Sequence, residues 1–505
     1  MLFRSITNTG DSGFQYPKGT GKTVFFESGP IWGGSINGYY TIGGSAYRQG
    51  LKPGRINPAT GTPDNPQNAD VRIYRVRPDY KNFTDAASMA NLYAAEISLE
   101  GLTAEQVYAQ YDLDWNQWPA AWGAPFIDKD GNGIYDPTKD IPGVSEEPSQ
   151  TIWWVANDFD EATTTFLYGG LPMKVEIQAT FFAFQTTGPL GNTIFRKYKL
   201  ISKNTIRFDS MYFCMWSDPD LGGAFDDFAG CDTTLALGFV YNGVATDDIY
   251  GTTPPASGFD FFQGPKVPTG NMSDSAKFLG KWLKGYKGLG MNSFFYFSQG
   301  VEADFSDPQQ GNYAGVKQWR NMFEGKKSRT GSPYVNPNTG KTTKFPLSGD
   351  PVAKTGWIDG QLHAKNDRRF GQVSGPFTMN PGDTQEVVVG QLAAGAEPGV
   401  NYLAAVSVLK FYDRSAQAAY DNDFKVATPP LNPQVKVSEY EKSIVLSWSD
   451  VNSFTQTEAF NKSGFKFQGY NVYQLPSTSA TKATAVRIAT FDVIDGVGPI
   501  VSPDV

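Results

Sequence analysis

The sequence carries a single histidine, His363, and only two cysteines, Cys214 and Cys231, in 505 residues. One histidine excludes zinc sites built on His pairs, and two cysteines do not replace them. It also weakens the case for a Ser-His-Asp hydrolase. GDSG at 10–13 resembles the nucleophile segment of chymotrypsin-like proteases, but Phe14 stands where Gly belongs, and the histidine follows the serine instead of preceding it. His363 itself, in the charged and turn-rich QLHAKNDRRF, reads as a surface residue. Charged residues make up only 19%, with no Lys/Arg-rich run, a net charge of −8 and a pI near 5.0. Such a surface repels phosphate backbones and argues against nucleic acid as a partner. Long apolar runs are missing too. The longest, such as Thr180–Phe184, are strand-sized, so no membrane-spanning helix is expected. The opening MLFRSITNTG lacks the charged-then-apolar layout of a signal peptide. That leaves a removed N-terminus, a piece of a longer protein, or a cytoplasmic chain, and the features below favour the first two. GTGKT at 19–23 is no phosphate loop: Tyr16 stands where the first Gly is required, and strand-like VFFESG follows instead of a helix. Cys214 and Cys231 lie on β-like segments flanking a loop and read either as one disulfide or as two buried thiols.

What is present is turn and strand chemistry: 54 Gly, 33 Pro, 36 Phe and 25 Tyr, with aromatics at 14%. TVFFESGPIWGGSINGYYTIGG alternates short apolar runs with Gly-Gly and Asn-Gly, the pattern of hairpins. From Thr151 to Asn242 the chain reads as successive strands, and GDTQEVVVGQL is another. KVEIQATF and FRKYKLI alternate with period two, which predicts one solvated face. Helices are expected near Asp85–Leu99, after Thr103 (a capping box with Gln106), around Tyr313–Phe323, and over about Val400–Tyr420. The expected fold is mainly β: antiparallel β-sandwich domains with a few helices. The Pro-rich ATPPLNPQ at 427–434 separates a β-rich region, 1–428, of one or two domains from a C-terminal unit, 429–505. That unit carries SIVLSWSD with Trp448 and FQGYNVYQL with Tyr470 and Tyr473, which resemble the start of a fibronectin type III domain. No strand candidates follow Val493, so the domain reads as incomplete, its last strands supplied by further chain or by a neighbouring molecule.

DKDGNGIYDPTKD at 128–140 is the most specific motif. Calcium takes six to eight hard oxygens from a tightly curled loop. Asp128, Asp130 and Asn132 fall at alternate positions, Gly133 permits the turn, the Ile134 carbonyl can point inward, and Asp136 supplies the next oxygen. Lys139 occupies the twelfth position, where a helix–loop–helix site has Glu, and Asp140 comes one residue later. Pro125, Pro137 and Pro142 argue against flanking helices, so the motif reads as a free-standing calcium loop between strands. A second acidic run holds Asp218, Asp220, Asp226, Asp227 and Asp232. Their mutual repulsion calls for a cation or for solvent, which leaves a second calcium site and a solvated loop as alternatives. Asp218 and Asp220 are also the candidates for a hydrolytic carboxylate pair.

Several long runs resemble one family: GAPFIDKDGNGIYDPTKDIPG, SMYFCMWSDPDLGGAFDDFAGCDTTLALGFVYNG, GFDFFQGP, GDPVAKTGWIDG, DRRFGQVSGPFTMNPGDTQEVVVG and SVLKFYDRSAQAAYDNDF. They are similar to uncharacterised large secreted or cell-surface proteins of Bacteroidetes- and Chlorobi-type bacteria. The resemblance implies fibronectin type III segments, export by the type IX secretion system and an extracellular location, and supplies no catalytic residues. The first expectation is therefore a non-catalytic structural or adhesive surface protein, stabilised by calcium and assembling as a homo-oligomer or filament, or with other surface proteins or glycans. A carbohydrate-binding protein is the alternative, suggested by Trp32, Tyr39 and Tyr40 beside Gly turns, and a carboxylate-dependent hydrolase is the third.

Overall fold

The computed structural model describes residues 12–494, apart from 48, 83–84, 86–87, 91–92, 148, 187, 299–301, 425–432, 434, 449–454, 456, 463–464 and 477–484. Two antiparallel sheets organise it. The six-stranded sheet runs Phe14–Gln15, Thr23–Ile36, Phe208–Pro219, Arg368–Met379, Met291–Ser298, with Tyr39–Gly44 also on Thr23–Ile36. Asn37 and Gly38 turn that last hairpin with φ of 50° and 82°, as a primed turn requires. The nine-stranded sheet runs Asp227–Asp232, Leu237–Asn242, Ala256–Gln263, Thr384–Ala394, Thr193–Ser202, Val175–Phe184, Ser149–Asn157, Lys52–Pro53, with Tyr74–Val76 also on Ser149–Asn157.

The sheets face each other across an aromatic core. Phe25 meets Phe259 at 4.9 Å between ring centroids, and Phe213 meets Tyr198 at 5.7 Å and Phe261 at 6.1 Å. Arg196, fully buried, reaches from the nine-stranded sheet to Ser28 Oγ on the other sheet at 3.0 Å. The expected β-sandwich with few helices is what the chain forms.

The solvated face expected for KVEIQATF is not there: Val175–Ala183 is buried throughout. One set of side chains, Ile177, Ala179 and Phe181, enters the inter-sheet core. The other set is covered by chain that folds back from the 52–148 region. Glu176 accepts the Ile56 N–H at 2.7 Å, and Gln178 donates to the Trp122 carbonyl at 2.9 Å. Tyr74, Val76, Trp118 and Ala124 pack with Trp153 and Val155 in the same outer layer. Lys197 and Lys199 of FRKYKLI stay half-buried, nearer the expectation.

Burial decides three further readings. Trp32 is fully buried and Tyr40 is 4% exposed, so only Tyr39 of that trio is accessible, stacked on Tyr313 at 4.8 Å. His363 is half-buried against the rings of Phe305 (4.7 Å) and Tyr296 (5.9 Å), because QLHAKNDRRF closes over the sheet instead of standing clear of it. Cys214 and Cys231 are two free, buried thiols and form no disulfide.

The chain divides into two compact units, Met1–Gln417 and Ala418–Val505, at the end of the helix Tyr402–Asp421. The Pro-rich run expected to mark the boundary lies almost wholly outside the described residues. Among its described residues the second unit contains three separate antiparallel pairs: Lys436–Tyr440 with Ser443–Ser447, Asn461–Lys462 with Phe465–Lys466, and Gly469–Gln474 with Val486–Asp492. Trp448 meets Tyr470 at 5.8 Å and Phe491 at 5.5 Å. The two sheets of a fibronectin type III domain are not assembled among the described residues.

Candidate cation sites

The loop 128–140 is closed at its base by a short antiparallel pair, Phe126–Ile127 with Ile141–Pro142, and no helix flanks it directly. Asp140 is its staple. It is 2% exposed, and its two oxygens accept the N–H groups of Lys129 (2.9 Å) and Asp136 (2.8 Å). Asp128 accepts N–H groups from Gly131 (2.7 Å), Asn132 (3.2 Å) and Gly133 (2.7 Å). This curl needs φ of 73° at Gly131 and 76° at Gly133, the left-handed region that glycine enters without strain. The same donors, Gly133 foremost, hold the Asp128 carboxyl below its ordinary range. Asn132 Oδ1 accepts the Ile134 N–H at 2.6 Å. The loop is fastened to the preceding helix, Ala104–Asn116, by Trp115 Nε1 donating to the Pro137 carbonyl (3.0 Å) and by Tyr135 donating to the Trp115 carbonyl (2.7 Å).

Asp128, Asp130 and Asp140 each bring a carboxylate oxygen within 4.8 Å of the others. Three hard donors held by backbone hydrogen bonds fit a calcium ion. Asp136 is placed differently. It accepts the Thr138 N–H (2.9 Å) and hydroxyl (2.7 Å) and lies 3.0 Å from Lys139 Nζ, and these contacts, Thr138 foremost, pull its carboxyl down to about 2. Lys139 Nζ is also 3.6 Å from Asp130, so the residue standing where a helix–loop–helix site has Glu acts here as a tethered positive charge.

The second acidic run is not one site. The chain crosses between sheets within it, so its carboxylates enter four environments. Asp232 pairs with Lys410 at 2.9 Å and accepts from Thr234. Asp227, fully buried, accepts the Leu221 N–H at 3.1 Å. Asp226 lies by Asp247, whose carboxylate accepts the N–H groups of Gly223, Ile249 and Tyr250. Asp218 and Asp220, at the end of the strand Phe208–Pro219, gather instead with Asp367, which precedes the neighbouring strand Arg368–Met379. Sequence reading missed Asp367. The charged DRRF entering a strand is the only local signal it leaves.

Arg369 is the hub of this group. Its Nε lies 3.0 Å from Asp218 Oδ2, its Nη2 3.1 Å from Asp367 Oδ2 and its Nη1 3.2 Å from Asp307 Oδ2. Tyr47 donates to Asp307, and its ring packs on Trp216 at 4.7 Å. Burial pushes the Asp218 carboxyl up to about 7 against the pull of Arg369, and it raises Asp220 and Asp367 as well.

A second buried carboxyl gives a pH test. Asp413, on the helix Tyr402–Asp421, and Asp260, on the strand Ala256–Gln263, are each 1% exposed. Burial raises Asp413 to about 7, and its hydrogen bond with Asp260 opposes the rise, with Asp232 and Arg414 as the other charged neighbours. A carboxyl raised on folding favours the folded state fully only below its unfolded value of about 3.9. That contribution is lost as pH climbs from there through about 7. Asp413→Asn should therefore flatten the fall in stability between pH 5 and pH 8, read by urea melts. An unchanged pH profile would contradict the assignment.

No protein-family model matches the chain, and no curated protein matches it.

Proposed function

We propose that the chain is a non-catalytic structural or adhesive protein of the cell exterior, whose loop 128–140 is set by calcium. The convergence of Asp128, Asp130 and Asp140 in a loop anchored by Trp115 and Tyr135 carries this reading. An extracellular chain meets calcium at concentrations where weak, carboxylate-rich loops fill. The resemblance to type IX-exported surface proteins supports the same location, and homo-oligomeric or filamentous assembly belongs to the proposal. Two features speak against hydrolysis: His363 is wedged between aromatic rings, and Asp218 is tied to Arg369.

Thermal melts in calcium and in chelator test the proposal. Calcium at a hundredfold its Kd adds about 2.7 kcal/mol, or several degrees of Tm. Asp130→Ala should lower Tm in calcium and shrink the response to chelator. Wild-type melts that coincide with and without chelator would contradict the calcium loop. A screen against polysaccharides, esters and peptides should stay at background, and turnover abolished by Asp218→Asn or Asp220→Asn would overturn the non-catalytic reading.

The glycan-binding alternative has one observation behind it. An open groove of about 1030 Å³ is lined by Phe159, Phe166, Asp64, Asp160 and Asn157, and Phe166 is 63% exposed. Saturable binding on a glycan array, lost in Phe166→Ala, would favour that reading.

A further inference from the structure

We propose that Asp218, Asp220 and Asp367 form a second, buried calcium site that ties together the ends of two neighbouring strands of the six-stranded sheet. The proposal rests on the preceding reading only for the presence of calcium around the protein, and it shares no residue with the loop 128–140.

Each of the three carboxylates offers an oxygen within 4.8 Å of the other two. The frame that holds two of them is a sheet, not a loop. Ser217 and Phe370 are directly paired residues, so Asp218 and Asp367 project from adjoining ends of hydrogen-bonded strands. Arg369 Nη2 donates to Asp367 Oδ2, and its Nε lies 3.0 Å from Asp218 Oδ2 as an ion pair without a hydrogen bond. The remaining oxygen of each, Oδ1, is buried and has no hydrogen-bond partner, and each residue is 6% exposed. A buried carboxylate oxygen without a donor is costly, and Asp218 and Asp367 each carry one, which points to a missing positive partner. Asp220, only half-buried, opens the cluster toward solvent and gives an ion a way in.

The charge balance agrees. Four carboxylates, Asp218, Asp220, Asp367 and Asp307, surround one guanidinium, so a divalent ion neutralises most of the excess. An all-oxygen donor set disfavours zinc and copper, which seek nitrogen and sulfur. Calcium tolerates an irregular arrangement completed by water, whereas magnesium demands near-ideal octahedral geometry at short distances. Through Arg369 and Asp307 the ion would also steady Tyr47 and the turn Ala303–Phe305.

Terbium luminescence in the full chain tests the site, because Trp216 stands two residues before Asp218 and Tyr47 packs on it. The background variant is Asp130→Ala, which silences the loop 128–140. In it, terbium emission excited through tryptophan should appear, and calcium should displace it. Adding Asp220→Asn or, separately, Asp367→Asn should weaken terbium binding at least tenfold while far-UV circular dichroism stays unchanged. Emission that survives both substitutions, or that calcium does not displace, overturns the proposal. Equal displacement by magnesium at the same concentration overturns the choice of calcium. Failure of the loop reading looks different: Asp130→Ala alone would then leave wild-type calcium binding intact.

Discussion

Asp359→Ala should cost about 3–5 kcal/mol, a large fraction of a typical domain's stability, because it leaves a buried guanidinium without its counter-charge. Arg368 and Asp359 side chains are 0% and 1% exposed and meet through two contacts, Nε to Oδ2 at 2.8 Å and Nη2 to Oδ1 at 3.1 Å. Ser298 Oγ (2.5 Å) and the Ala364 carbonyl (2.6 Å) accept the other guanidinium hydrogens. Asp359 Oδ2 also accepts the Ala229 N–H at 2.8 Å. Arg368 belongs to the six-stranded sheet and Ala229 to the nine-stranded one, so this single carboxylate links the two layers. Removing both charges, Asp359→Ala with Arg368→Met, should recover a large part of the loss, since the cost lies in the orphaned charge more than in the pair. Urea unfolding of the two variants and the wild type measures this. A loss below about 1 kcal/mol for Asp359→Ala, the range of exposed ion pairs, would contradict the buried geometry.

Trp153→Ala and Trp154→Ala should each cost about 3–5 kcal/mol, although the two residues point to opposite faces of one strand. Trp154 is fully buried in the inter-sheet core, edge-on to Phe181 at 6.1 Å. Trp153 is 1% exposed and packs outward, with Tyr74 at 6.2 Å in the layer that holds Trp118. A strand with one wet face would tolerate the outward change within about 0.5 kcal/mol, as surface substitutions usually do. Chemical denaturation of the pair therefore tests the three-layer arrangement. A near-neutral Trp153→Ala would show that the 52–148 region does not cover the sheet.

Much of this fold is local and was legible in the sequence. Asn37-Gly38 marks its hairpin, Thr103 with Gln106 caps its helix, and Leu403, Val406 and Leu409 carry the period of the helix Tyr402–Asp421. Most strands over 151–242 also fall where alternation and apolar runs placed them, but Asp227–Asp232 pairs as a strand where the acidic run read as a loop. What could not be read depends on where distant chain comes to rest. Glu176 and Gln178 are polar, as a solvated face would be, yet Ile56 and Trp122 cover them. Trp32 beside Gly-Gly looks like a sugar platform, and it lies in the core because the hairpin packs on the other sheet. The cluster of Asp128, Asp130 and Asp140 was legible because its carboxylates are near neighbours in the chain. The group around Asp218 was only half legible, since Asp367 joins it through strand pairing and nothing in local spacing announces it. Asp227 and Asp232 enter the other sheet and, with Asp226, fall outside that group, although Asp220 still acts on the buried Asp227.

Calorimetric titration of calcium into the chelator-stripped full chain tests the central claim most directly. The account predicts two saturable sites per chain with Kd at or below the millimolar range of extracellular calcium modules. One site should vanish in Asp130→Ala and the other in Asp220→Asn. A flat titration up to about 10 mM calcium, beyond that range, would contradict the account.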